Sequence, residues 1–151
     1  MENKNEKSEK PPLNQTRKTR STKIKTKDSK LSLIADIEEL IRYMLSIENN
    51  IEKNKRYIYE KLISRAFDLL GVCTKFNRYS IYDKEERSKR KEFQIEALGI
   101  FQSLSISVTI AFDHRIFGHK THYLIYDYMA KIMNKLDGLI NSDKERIKNL
   151  K

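Results

Sequence analysis

The sequence predicts an all-α protein, an antiparallel up-down-up-down four-helix bundle preceded by a disordered basic N-terminal arm. Apolar residues recur three and four positions apart in four separate stretches, which is the period of an amphipathic helix. Only four glycines and two prolines occur among 151 residues, too few for a turn-rich β fold. The short stretches between the four patterns favour antiparallel packing of successive helices.

Residues 1–30 are expected to form the arm, and residues 31–151 the bundle. The first segment contains ten Lys and Arg against four Asp and Glu, so it carries +6 of the net charge of +10. After Met1, its only large apolar side chains are Leu13 and Ile24. Such a segment buries too little apolar surface to offset the entropy lost on ordering.

The first two helices are predicted from about 31 to 51 and from about 55 to 79, with a polar break between them. The first has its apolar positions at Ile34, Ile37, Ile41, Met44 and Leu45. The second has a seam spaced three and four residues apart, which suits shallow-angle bundle packing. The seam consists of Tyr59, Leu62, Ala66, Leu69, Cys73 and Phe76.

The third helix is predicted to begin after Asp83, a good N-cap residue. Glu86 follows three residues later and is expected to reach back to the cap, as in a capping box. The apolar pattern then continues to about His114. Gly118 predicts a break, and the fourth helix is expected from about 120 to 140.

The fourth helix is predicted to stop at Asn141, because the residues after it are polar. The tail 142–151 is expected to fray, with a continuation of the helix as the alternative.

The second and third helices carry more apolar side chains than one bundle core uses. The surplus lies off the main seams, at Tyr57, Ile58, Ile63, Phe67, Leu70, Val72, Ile95, Ile106 and Phe112. A second buried face, and hence a homo-oligomer, is predicted.

The charge distribution indicates an anionic partner, since a surplus of +10 repels itself unless a polyanion is bound. Nucleic acid is the first candidate and an anionic membrane surface the second. In the arm, contacts with nucleic acid are expected at Arg17, Lys18, Arg20, Lys23, Lys25 and Lys27. Around the turn between helices two and three they are expected at Lys75, Arg78, Lys84, Arg87, Lys89, Arg90 and Lys91.

Three aromatic residues, Phe76, Tyr79 and Tyr82, are interleaved with this second group and suit base stacking. The alternative is an ordinary solvated helix face that Glu85, Glu86 and Glu92 partly neutralise. A smaller set of cations is expected at the opposite end of the bundle, where the other two turns meet. It consists of Lys53, Lys55, Arg56, Arg115 and Lys120.

No catalytic pattern is recognisable: the chain has no P-loop, nucleophile elbow or paired catalytic carboxylates, so no enzyme and no cofactor are expected. His114, His119 and His122 are close enough in sequence to bind zinc or a di-metal centre. The favoured interpretation is that His114 ends one helix and the other two begin the next, and the Glu-x-x-His motif of di-iron bundles does not occur. Cys73 is expected to be a small core residue. The longest apolar stretches are expected to be too short and too broken to span a bilayer, and a cytoplasmic protein is expected.

Four stretches and the basic turn carry a resemblance to a known family: 39–45 (ELIRYML), 65–70 (RAFDLL), 97–104 (ALGIFQSL) and 126–136 (YDYMAKIMNKL). Over about 36–141 the chain resembles the accessory variability determinant family of diversity-generating retroelements. It is also similar to the four-helix proteins encoded in intervening sequences of bacterial 23S ribosomal RNA genes. Two features depart from the first family: Gly138-Leu139-Ile140 stands where a Gly-Gly-Trp-like element is common, and the arm is long.

The resemblance implies a homopentameric barrel of four-helix protomers with a basic surface. Such a barrel binds the element's reverse transcriptase and its template RNA or cDNA, and supports mutagenic cDNA synthesis without catalytic residues of its own. The first alternative is an RNA-binding protein of the intervening-sequence type without a polymerase partner. The others are a histidine-ligated metal-binding bundle and a membrane-surface module that uses the arm.

Overall fold

A computed structural model describes residues 29–150, with side-chain surroundings from residue 32 onward. The arm cations from Arg17 to Lys27 lie outside the described residues. Within 29–150 the chain is all-helical, as predicted, and contains four α-helices and no strand. These are α1 (Ser29–Ser46), α2 (Arg56–Phe76), α3 (Lys84–Asp113) and α4 (His119–Asn149).

The connection between α1 and α2 is longer than predicted, because α1 ends at Ser46 and gives way to two short 3-10 turns. These turns cover Glu48–Asn50 and Lys53–Lys55. Arg56 holds the connection in place: its Nε donates to the Ile51 carbonyl at 3.0 Å and its Nη2 to the Asn49 carbonyl at 3.1 Å. At its other end, α2 stops at Phe76, three residues before the predicted limit.

The predicted end of α4 at Asn141 is wrong, since the helix continues to Asn149. The tail packs instead of fraying because Asp143 is buried and Ile147 is half-buried, in step with Ile140. The helical spacing of buried positions therefore continues beyond Asn141. Apolar residues alone do not reveal it, because one of the buried positions is the polar Asp143.

Successive helices run antiparallel, since the start of each contacts the end of the one before. The Tyr59 hydroxyl on α2 donates to the Met44 carbonyl of α1 at 2.9 Å. Arg90 on α3 donates to the Phe76 carbonyl of α2 at 2.9 Å. Thr109, late in α3, lies 2.6 Å from the hydroxyl of Tyr126, early in α4.

The core runs through the middle of the four helices and includes the predicted seam of α2, all six members of which are buried. The helices do not contact one another equally. The α2–α3 seam is the most extensive, α4 rests mainly on α1, and the α3–α4 seam is the thinnest of the four. A groove therefore remains between α3 and α4.

The predicted surplus of apolar side chains divides into three groups. Ile58, Leu70 and Phe112 are partly buried against the core. Ile63 and Val72 are buried within the single chain. Other members remain on the surface, with Tyr57 at 60% exposure and Phe67 at 48%. Ile95, Ile106 and Ile110 are exposed along α3, and Tyr123 on α4.

One helix, α3, is long and apolar enough to cross a membrane by length and composition, and 28% of the qualifying stretch is buried. The expectation that no stretch reaches this length is therefore wrong. Core helices of soluble proteins can have the same length and composition. In the described part of the chain α3 packs along α2.

Candidate nucleic-acid interface

The turn between α2 and α3 is a fixed structure that sets the direction of the basic residues around it. The Asp83 side chain caps α3 by accepting from the Glu86 amide at 2.9 Å, as predicted. Glu86 does not complete the box, because its carboxylate accepts from the Ser80 amide at 2.8 Å instead of from the cap residue. Ile81 is buried beneath the turn, and its carbonyl accepts from Arg87 Nε at 2.7 Å.

Arg90 does not belong to the binding surface, contrary to the sequence prediction. Its side chain is 2% exposed and forms an ion pair with Asp143 on α4. Its Nη1 donates to the Phe76 carbonyl at 2.9 Å and to the Tyr79 carbonyl at 3.1 Å. The Phe76 carbonyl lies at the end of α2, where helix geometry leaves acceptors short of partners, and the Tyr79 carbonyl lies in the connection that follows. Arg90 thus joins three helices and is unavailable to a phosphate.

The remaining six predicted cations of this region are at least partly exposed: Lys75, Arg78, Lys84, Arg87, Lys89 and Lys91. The structure divides them between two faces of α3. Lys75 and Lys89 lie on the side toward α2, together with two stacked aromatic rings. Lys84, Arg87 and Lys91 lie on the side toward α4 and line the groove.

The first face, which we call the aromatic–basic surface, consists of Lys75, Tyr79, Lys89 and Phe93. The two rings stack with centroids 5.6 Å apart and planes 15° apart. Lys75 Nζ lies 5.8 Å from the Phe93 centroid, and Lys89 Nζ lies 5.9 Å from that of Tyr79. These cation–π contacts hold both ammonium groups at the surface while they remain open to an anion.

Two exposed residues of the connection extend the chemistry of this surface. Arg78 offers a further cation, and Tyr82 is 72% exposed, with its backbone amide held by Ser80 Oγ at 3.0 Å. An open aromatic ring on a backbone held in place, close in sequence to these cations, suits stacking of an unpaired base next to phosphate contacts.

The second face is a groove of about 540 Å³ between the first half of α3 and the last turns of α4. Its aliphatic wall is formed by Ile81, Ile95, Leu98, Ile140 and Ile147. Its cations are the three from α3 together with Lys144 and Lys148. Sequence reasoning missed these last two because it assigned them to a frayed tail.

Another depression, about 570 Å³ in volume, lies between α2 and α3. Its rim mixes Lys61 and Arg65 with Asp68 and Glu96, and Arg65 is hydrogen-bonded to Ser103 across it. Because both charge signs are present, this depression has no preference for an anion comparable with that of the groove.

The opposite end of the bundle brings together the other two turns, as the sequence predicted. Lys55 Nζ donates to the Arg115 carbonyl at 3.3 Å and pairs with Glu52 at 3.4 Å. Arg56 is engaged by backbone carbonyls. Two of the predicted cations of this end therefore serve the local structure, and Lys53, Arg115 and Lys120 are exposed.

Two of the three histidines, His119 and His122 at the start of α4, are in contact with aromatic rings. His122 stacks on Phe112 with centroids 4.0 Å apart, and His119 meets the edge of the same ring at 4.9 Å. Among residues 29–150 no group of three or more His, Cys, Asp or Glu side chains converges as metal ligands would. His114 is the C-cap of α3, and His119 and His122 lie in the first turn of α4, so all three stand at helix ends as predicted.

Cys73 is buried in the core, as predicted. Burial raises the pKa of the Cys73 thiol to about 12. Because the thiolate is the nucleophilic form, this residue is inert near neutral pH. The same desolvation raises the pKa of Tyr59 above its ordinary value, and its hydroxyl instead serves as a donor to α1.

Comparison with known proteins gives no match that bears on the function. No family model, no curated protein and no solved structure matches the chain.

Proposed function

We propose that the chain is a non-catalytic, oligomeric accessory protein that binds RNA or cDNA through basic surfaces and assists a reverse transcriptase in mutagenic cDNA synthesis. The observation that carries the nucleic-acid role is the aromatic–basic surface, where Lys75 and Lys89 flank the stacked Tyr79–Phe93 pair. Tyr82 adds an exposed aromatic ring in the connection between α2 and α3. The net charge of +10, most of it in residues 1–30, supports a polyanionic partner.

The polymerase part of the proposal is supported by the resemblance to the retroelement accessory proteins. The alternative is the ribosomal RNA intervening-sequence type, which needs the same RNA surface but no polymerase. The genes beside the coding sequence distinguish the two: a reverse transcriptase gene with a pair of repeats supports the first. Co-purification of the two tagged proteins from one cell is the matching biochemical test.

A homopentamer is also part of the proposal. The exposed apolar side chains of the described helices, such as Tyr57, Phe67, Ile106 and Tyr123, support an interface between copies. Light scattering after size exclusion tests it, since five chains of 18.0 kDa give a particle of about 90 kDa. A mass of one chain contradicts this part of the proposal.

The nucleic-acid role is tested by measuring the affinity for a single-stranded RNA of mixed sequence against salt concentration. Each phosphate contact contributes about 0.7 to the slope of log affinity on log salt for single strands. Four or more contacts give a slope of about −3 or steeper. A slope near zero contradicts the proposal. Removal of residues 1–28, which leaves α1 whole, is expected to flatten the slope while circular dichroism retains the helical signal.

A further inference from the structure

The groove between α3 and α4 differs in chemistry from the aromatic–basic surface on the other side of α3. Its wall is aliphatic, and among residues 29–150 no aromatic side chain lines it. Ile95 is 61% exposed there, although it is a large apolar residue. An aliphatic wall offers no platform for base stacking, but it accepts leucine-like side chains.

The charged side chains that line the groove give it a net positive charge. Arg90 and Asp143 neutralise each other beneath it, and Gln94 donates to the same carboxylate at 2.6 Å. The other charged lining residues are cations on both sides: Lys84, Arg87 and Lys91 on α3, and Lys144 and Lys148 on α4. An occupant must therefore be apolar on one side and anionic at its edges.

The dimensions of the groove suit a helix. It runs along α3 from Lys84 to Leu98, which is about 20 Å at 1.5 Å per residue. An α-helix of roughly 14 residues has this length, and its apolar side chains at three- and four-residue spacing form one stripe. Helices commonly bind in grooves of this kind through such a stripe.

We propose that this groove is the binding site for an acidic amphipathic helix of a partner protein, whose apolar stripe packs on Ile95, Leu98, Ile140 and Ile147 while its carboxylates meet the lysines. A second copy of this chain is a poorer occupant, because a net charge of +10 would oppose the cationic rim. The basic segment 1–30 is repelled for the same reason. The site goes beyond the proposed RNA role and does not depend on it.

The test uses a fluorescent peptide of about 16 residues, with leucines at helical three- and four-residue spacing and glutamates elsewhere. Its binding to the full chain is followed by fluorescence anisotropy. A peptide of the same composition, scrambled to remove the stripe, is the peptide control. The proposal expects saturable binding of the first peptide and at least about tenfold weaker binding of the second.

Two groove variants and one matched control locate the site. Lys144→Glu with Lys148→Glu, and separately Ile95→Glu, are each expected to weaken peptide binding about tenfold or more. Gln102→Glu is the control, because Gln102 is exposed on the same helix but lies outside the groove, and the change adds the same negative charge as Ile95→Glu. It is expected to change the affinity less than about twofold. All changed side chains are exposed, and thermal unfolding verifies that each variant is folded.

RNA affinity and particle mass are measured on the same variants, so that the failure of this proposal can be separated from the failure of the RNA role. The proposal is overturned if the peptide does not bind up to about 1 mM, or if Ile95→Glu and Gln102→Glu weaken peptide binding equally. The proposal is also overturned if peptide binding is unchanged in the groove variants while another property falls. That property is the affinity for RNA, the binding to phosphatidylglycerol vesicles or the particle mass. Those outcomes assign the groove to nucleic acid, to lipid or to a second copy.

Discussion

Arg90 on α3 and Asp143 on α4 form an ion pair that water hardly reaches, with side-chain exposures of 2% and 7%. The second guanidinium nitrogen, Nη2, donates to Asp143 Oδ1 at 3.2 Å. Gln94 Nε2 and the carbonyls at the end of α2 complete the surroundings of the pair. The thinnest seam of the bundle is therefore closed at one end by a satisfied polar network.

Replacing Asp143 by Ala is expected to lower the free energy of unfolding by about 3–5 kcal/mol, because it leaves the buried Arg90 charge without its partner. Chemical denaturation measures the loss. The matched control is Glu38→Ala, which removes an exposed pair with Arg42 on α1 and is expected to cost less than about 0.5 kcal/mol. Similar losses for both variants would show that the pair does not hold the seam.

Asp83→Ala is expected to destabilise the protein by about 1 kcal/mol, because the Glu86 amide loses the side chain that caps α3. Asp127 is an exposed aspartate within α4, and Asp127→Ala serves as the control, with an expected change within about 0.5 kcal/mol. Equal effects of the two changes on the denaturation midpoint would contradict the assigned cap.

Lys75→Ala with Lys89→Ala is expected to weaken RNA binding and to reduce the slope of log affinity on log salt by about 1.4, since two phosphate contacts are removed. Tyr82→Ala is expected to cost about 1–3 kcal/mol of binding free energy per stacked base and to leave the slope unchanged. The contrast between the two variants separates charge from stacking. Identical salt slopes in the wild type and the double lysine variant would remove these lysines from the interface.

Cys73 is expected to make the free energy of unfolding fall with rising pH in the alkaline range. Its folded pKa is about 12 against an ordinary value of 9.0, so the folded state binds the proton more tightly than the unfolded state. Its contribution is fully present below pH 9.0 and is lost as the pH rises toward 12. Between these limits the wild type is expected to lose about 1.4 kcal/mol more per pH unit than Cys73→Ala. Parallel pH dependences of the two proteins in urea titrations would contradict this.

Much of the fold could be predicted because the seams of the helices are apolar and regular. The stripe from Tyr59 to Phe76 and the cap at Asp83 both appear in the structure as expected. The end of α4 could not be predicted, because the buried Asp143 interrupts the apolar pattern in the same way as a solvent-exposed aspartate would. Arg90 was assigned to the surface for a similar reason, since nothing local distinguishes it from Lys89 or Lys91.

The division of the basic cluster into two faces depends on the rotation of α3 between its neighbours. A run of cations in sequence covers all sides of a helix, and only the packed structure shows which of them point toward α2 and which toward α4. The groove also needs Lys144 and Lys148, whose placement follows from the extended α4. The aromatic partners of Lys75 and Lys89 follow from the sequence only in part. Tyr79 lies among the basic residues, whereas Phe93 falls on the apolar spacing of α3, which is typical of a core residue.

The burial of the chain's single cysteine has a practical consequence for studying these surfaces. A thiol introduced on the outside of the folded protein would be the only one that reagents reach, so no native residue has to be removed first. A spin label at Arg78 or at Ile147 would then report separately on the two faces of α3. Distances from each label to a labelled RNA or peptide would map where each ligand sits on the protein.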